Sequence, residues 1–163
     1  MPKLRPRNLP AVAITTVEAR EQILDELAGA TIQIGFAVSC LGTAYELLDE
    51  VTADRLETEL FRPAQRALAR AKRASSGFAS RYGLTVKLRE APSPGLPSQG
   101  VRVFVERSIT ASAEASRRIA ELQDSMLPIE AGDPELRAAL AETRDLIDGL
   151  AAPARAFLNT LGR

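Results

Sequence analysis

From Leu27 to Tyr45 the chain carries no charge: LAGATIQIGFAVSCLGTAY, 19 residues. Large residues at Leu24, Leu27, Ile34, Val38, Leu41, Tyr45 and Leu48 keep the three-and-four spacing of one helical seam. Small residues at Ala28, Gly35, Ser39 and Gly42, joined by the larger Ile32, form a second seam. A surface helix needs a single apolar stripe. This helix demands neighbours on two sides, and the small seam demands that one of them come close. Glycine in a helix interior costs up to ~1 kcal/mol relative to alanine, so Gly29, Gly35 and Gly42 in one helix point to close approach. Ala28, Ile32, Gly35, Ser39 and Gly42 are therefore candidate interface residues. They face either a neighbour in the same chain or a second copy, and the two apolar faces favour a homo-oligomer.

The same stretch reaches the lower end of the ~17–25 residues of a membrane span. Thr31, Gln33, Ser39, Thr43 and the glycines dilute it, and it lies within a longer amphipathic helix. A buried helix is the expectation, and a membrane is not an expected partner.

Local signals divide the rest of the chain. Residues 1–14 hold three prolines and three basic residues and read as a flexible basic arm; residues 15–163 read as one helical domain. Thr15-Thr16-Val17-Glu18 fits a capping box, with Glu18 reaching back to the Thr15 amide and helix 1 running to about Asp49. Thr52 is the expected cap of helix 2, which runs to Tyr82 with an apolar seam at Leu56, Leu60, Ala64, Ala67, Ala71, Ala74 and Phe78. Pro63 should kink it and Gly83 should stop it. A long Pro/Gly-rich loop at about 83–99 follows and reads as mobile or disordered. Its flanks, 84–89 and 101–105, alternate well enough to pair as a hairpin, although a third helix from about Gln99 is favoured. Pro128 ends that helix. Asp133-Pro134 starts a fourth, with Asp133 as cap, and Pro153 should bend it. Four helices of matched length with short links imply an all-α, antiparallel up-down four-helix bundle.

Composition narrows the chemistry. The chain has no histidine, which removes Ser-His-Asp and Cys-His catalysis and Glu-x-x-His di-iron sites. Its one cysteine, Cys40, lies in the apolar helix and reads as a core residue, so neither a zinc site nor a disulfide framework is expected. No phosphate-binding glycine loop occurs. No apolar run backs the basic N-terminus, which suggests the cytoplasm. Thr143-Arg-Asp-Leu-Ile-Asp-Gly-Leu150 is similar to the Leu-Arg-x-x-Ile-Asp-x-Leu opening of the chorismate mutases, departing from it at Thr143. That resemblance implies a helical enzyme working with arginine and acid groups.

The net charge is zero, but it is unevenly placed. Arg55, Arg62, Arg66, Arg70 and Arg73 share one face of helix 2, with Arg81 near it. Residues 121–148 carry eight acids against two arginines. The stripe could follow a phosphate backbone or be neutralised by the acidic helix. The cluster Glu46, Asp49, Glu50, Asp54, Glu57 and Glu59 reads as a solvated acidic end. These features together favour a non-catalytic accessory or adaptor protein that self-associates and binds a protein partner, with no cofactor and no metal. The alternative is a nucleic-acid-binding accessory protein that uses the arginine stripe; a histidine-free lyase or mutase is the third reading.

Overall fold

The computed structural model describes residues 15–87 and 89–162. The basic arm expected at 1–14 lies outside them. The regular elements among the described residues are all helical, with no strand, so the hairpin alternative falls and 101–105 belong to a helix. The helices are α1 (Thr16–Glu46), α2 (Glu50–Leu56), α3 (Arg62–Arg81), α4 (Val101–Asp124), α5 (Leu127–Glu130), α6 (Pro134–Asp148) and α7 (Ala151–Thr160). A π-helical segment, Glu57–Phe61, joins α2 to α3, so that 50–81 form one rod.

The starts and breaks follow local chemistry. The Thr15 hydroxyl accepts from the Glu18 amide at 3.1 Å and donates to Glu18 Oε1 at 2.9 Å. Glu18 thus engages the cap through its hydroxyl and not, as expected, through the Thr15 amide. The second cap moves to Asp49. Its carboxylate accepts from the amide and the hydroxyl of Thr52, each at 2.9 Å, because an acid satisfies both donors at once. Pro63 follows the π segment, whose wider turn makes room for a residue that cannot donate to the preceding turn. Gly83, at φ 66°, lets Leu84 N donate back to Ala79 O at 2.8 Å and closes α3. The fourth rod breaks at Gly149–Leu150 instead of bending at Pro153. The proline then falls in the first turn of α7, where its missing N–H costs nothing.

Two apolar clusters define how these elements meet. The lower cluster joins the first half of α1 (Ile23, Leu27, Ile34), the second half of α3 (Ala71, Phe78), the end of α4 (Ile119, Leu122) and α6 (Leu136, Leu140). The upper cluster joins the end of α1 (Cys40, Leu41), Leu56 and Leu60, the start of α4 (Phe104, Val105) and α7 (Phe157). α1 packs on α3 and, most extensively, on α4; α6 packs on both α3 and α4. Each of these four pairs therefore runs antiparallel. The order along the chain, however, is up-down-down-up and not the alternating one expected. The second and third rods run the same way, so the chain between them must return the length of the fold. The predicted seam of helix 2 is buried at every position, and its alanines let α3 approach its neighbours closely.

A charged clasp ties the lower end. Asp133 caps α6 by accepting from Leu136 N at 2.7 Å. It also accepts from Arg81 Nε and Nη2 at 2.7 and 3.0 Å and from the Tyr82 hydroxyl at 2.9 Å. Arg20 of α1 lies over the Tyr82 ring at 3.7 Å and donates to Ala131 O at 2.9 Å. Burial opposes ionisation of Asp133, but the bonds from Arg81, Leu136 N and Tyr82 outweigh it and hold the carboxyl below its ordinary range. A carboxylate depressed in this way stabilises the fold above its unfolded pKa of about 4, and that contribution is lost as pH falls through the folded value. Asp133→Asn keeps a capping oxygen and removes the charge. It should cost about 1–3 kcal/mol at neutral pH, and thermal melts of the two proteins should converge below about pH 4. A constant gap across that range would refute the charged clasp.

Candidate functional site

In the segment 82–100, expected to be a mobile loop, the described residues 84–87 and 89–96 form an extended strap that ends in a single 3-10 turn, Pro97–Gln99. Leu84 and Val86 face the lower core while Thr85 and Lys87 face solvent, which is a strand-like alternation without a partner strand. Further on, Pro94 and Pro97 lie beside Gly42, Thr43 and Leu47. Arg107 of α4 pins this end by donating to Pro94 O at 2.6 Å and to Gln99 Oε1 at 3.1 Å. Gln99 Oε1 also accepts from Leu96 N at 3.0 Å.

The strap accounts for the small seam of α1. A Cβ placed on Gly35 would stand 3.6 Å from the Ala91 Cβ of the strap and 4.0 Å from Leu68 of α3. At Gly42 it would meet the Phe61 ring at 3.6 Å. The close neighbours of Gly35 and Gly42 are thus the strap and the second rod of the same chain, while Ala28, Ile32 and Ser39 line the space left beside them. Gly29 has a different role. A Cβ there would come within 2.6 Å of Arg118 Nη1, so the missing side chain gives the α4 guanidinium its place on α1.

The strap does not fill the space over α1. A cavity of about 650 Å³ remains between α1, α3 and the strap residues Val86, Lys87 and Arg89 to Ala91. Its floor is mainly apolar, from Ala28, Ile32, Gly35 and Val38 with Leu68 opposite, and Thr31 and Ser39 also line it. Lys72, Lys87, Arg89 and Glu90 stand around it, with Ser75 and Ser76 on the α3 side. Sequence reasoning found the floor through the small seam. It missed Lys72, Ser75, Lys87 and Arg89, because only the path of the strap brings them to that face.

The arginine stripe is divided. Arg55 lies 4.9 Å over the Phe157 ring and donates to Thr160 Oγ1 at 2.8 Å. Arg62 pairs with Glu57 at 3.3 Å and Arg70 with Glu142 at 2.9 Å. Arg81 pairs with Asp133 and Glu135. The acids of the fourth rod therefore take Arg70 and Arg81. Arg66 and Arg73 are exposed and make no ion pair among the described residues.

Other candidates are accounted for by the fold. Among the described residues no group of three acidic, cysteine or histidine side chains is placed to hold a metal ion. Cys40 is buried, and burial pushes its thiol up to about 11 against the opposing pull of Arg107, leaving it protonated and unreactive. In the mutase-like segment Thr143, Ile147 and Leu150 are core, and Arg144 lies near the surface, bonded to Gln123 Oε1 at 2.9 Å.

Large apolar side chains that remain exposed sit only at the two ends among the described residues. Leu47, Val51 (79% exposed) and Leu96 (70%) mark the upper end; Val17, Met126 and Ile129 (62%) mark the lower.

A methyl group at Gly35 would make ordinary van der Waals contact, so Gly35→Ala should gain about 0.5–1 kcal/mol from helix propensity. Gly35→Leu places a larger side chain against Ala91 and Leu68 and should lower stability. Denaturant melts of the two variants check the pair, and a loss for alanine comparable to that for leucine would mean that the strap lies closer than 3.6 Å.

The chain matches no family model, no curated protein and no solved structure.

Proposed function

We propose that this protein is a four-helix bundle in up-down-down-up order that serves as a non-catalytic cytoplasmic accessory module. It needs no cofactor or metal, lies outside the membrane, and docks on proteins through the ends of the bundle, a second copy of the chain being the first such partner. The observation that carries this reading is the placement of the exposed apolar side chains. Among the described residues these lie at the ends, Leu47, Val51 and Leu96 at the upper and Val17, Met126 and Ile129 at the lower. Such surface is retained where it is covered in use. The small seam, which favours self-association in the sequence, has the strap beside Gly35 and the Phe61 ring beside Gly42, which supports placing self-association at the ends. The absence of histidine supports a non-enzymatic role.

Light scattering after gel filtration tests the reading. At about 100 μM the wild type should exceed the mass of one chain. Val51→Asp with Leu96→Asp, or Met126→Asp with Ile129→Asp, should return it to 17.5 kDa. A monomer at every concentration, or an assembly indifferent to both pairs, would overturn the proposal.

A second reading is favoured by Arg66 and Arg73, the two stripe residues without ion pairs: a nucleic-acid-binding accessory protein. Fluorescence anisotropy with labelled DNA and RNA should then show binding that weakens by an order of magnitude or more between about 50 and 200 mM salt. Arg66→Glu with Arg73→Glu should abolish it without lowering the melting temperature. No binding at the lower salt rejects this reading.

A further inference from the structure

We propose that the cavity beneath the strap is a binding site for a small amphipathic anion, specifically a free medium-chain fatty carboxylate. Three independent features support this occupant. The volume of about 650 Å³ falls within the range of ligand sites, and its floor is built from α1 residues too small to close it, Ala28 and Gly35 among them. An alkyl chain is the occupant that gains from such a floor.

The second feature is Ser75. It is only 6% exposed, it lines the cavity, and its hydroxyl makes no hydrogen bond among the described residues. Neighbouring hydroxyls behave differently: Ser76 donates to Lys72 O and Thr31 to Leu27 O, each at 2.7 Å. The Ser75 oxygen is open to the cavity, since Arg118 Nε is the one fully buried side-chain polar atom without a partner among the described residues, and a ligand oxygen there would accept from it.

The third feature is charge. Lys72, Lys87 and Arg89 stand around the cavity with Glu90 as the one acid, and none of the three cations is ion-paired among the described residues. Elsewhere in this chain acids meet the arginines, as at Arg70 and Arg81. Here the positive excess is left open to solvent, and a carboxylate is the group that it would hold. An apolar floor, a hydroxyl donor and a cationic rim describe a chain with one anionic end. They do not suit a nucleotide, whose base would find no aromatic side chain to stack on here, or a neutral hydrocarbon, which would leave the rim unused.

Isothermal titration of the full chain with decanoate tests the site. One decanoate should bind per chain, with decanol at least about tenfold weaker and decyltrimethylammonium not bound. Gly35→Leu fills the cavity and should abolish binding. Should that variant fail to fold, Lys72→Glu with Lys87→Glu changes only exposed groups. It should weaken decanoate at least about tenfold while leaving decanol unchanged. Vesicles of anionic phospholipid distinguish a free acid from a membrane source: binding to vesicles but not to decanoate overturns the proposal. So does the absence of saturable binding up to about 1 mM decanoate, or equal binding by the wild type and the double charge variant.

Discussion

The direction of the third rod governs the rest of this structure. Because α3 and α4 run the same way, the chain leaving Arg81 at the lower end must reach Val101 at the upper end before it can turn back. Residues 82–100, extended, reach up to about 60 Å, against about 36 Å for the 24 residues of α4. The segment therefore has length to spare, and its course is set by what it lies on. Its prolines at 92, 94 and 97 keep it out of helix. An extended segment laid over a helix needs a shallow surface. The small residues of α1 supply it, with Leu84 and Val86 as anchors below and Arg107 as the pin above.

The electrostatics follow from the same arrangement. The fourth rod lies antiparallel to the second, so the acidic start of α6 meets the basic end of α3, and Asp133 becomes the point where a helix cap and the root of the strap share one carboxylate. Exposed pairs such as Arg62–Glu57 contribute little, on the order of 0–1 kcal/mol each. The half-buried Asp133 contacts differ because three donors converge on one acid that also caps α6. Pairing along the rod is incomplete at Arg66 and Arg73. The strap's own cations have no facing acidic helix at all.

Local features were legible in the sequence because they depend on near neighbours in the chain. The Thr15 and Asp133 caps, the stop at Gly83 and the buried alanine seam of the second rod are all read from spacing within a few residues. The shift of the second cap to Asp49 was a near miss, since both residues satisfy the preference of that position. What spacing does not carry is direction. Matched helix lengths are compatible with alternating and non-alternating orders alike, and only the length of the 82–100 segment hinted at a return path. The small seam of α1 announced a close neighbour without saying which. Glycine and alanine record the distance of approach, and that distance is the same for a strap, a helix or a second copy. The cationic rim lies on separate elements, α3 and the strap, and becomes a cluster only when the strap is laid down.

Packing against the strap does not by itself explain Gly35. With 3.6 Å to the Ala91 Cβ, an alanine would fit by ordinary contact and would favour the helix by about 1 kcal/mol. A helix that needed only to seat the strap would gain from the larger residue. What glycine preserves is depth: it keeps open the floor of a space bounded by Leu68, Ser75 and the strap. The same reasoning separates Gly35 from Gly29, where a guanidinium occupies the vacated volume and the glycine is explained by its neighbour. At Gly29 the chain fills the room it makes. At Gly35 it makes room and leaves it open, next to the Ser75 hydroxyl and beneath three cations with Glu90 as the one acid among them.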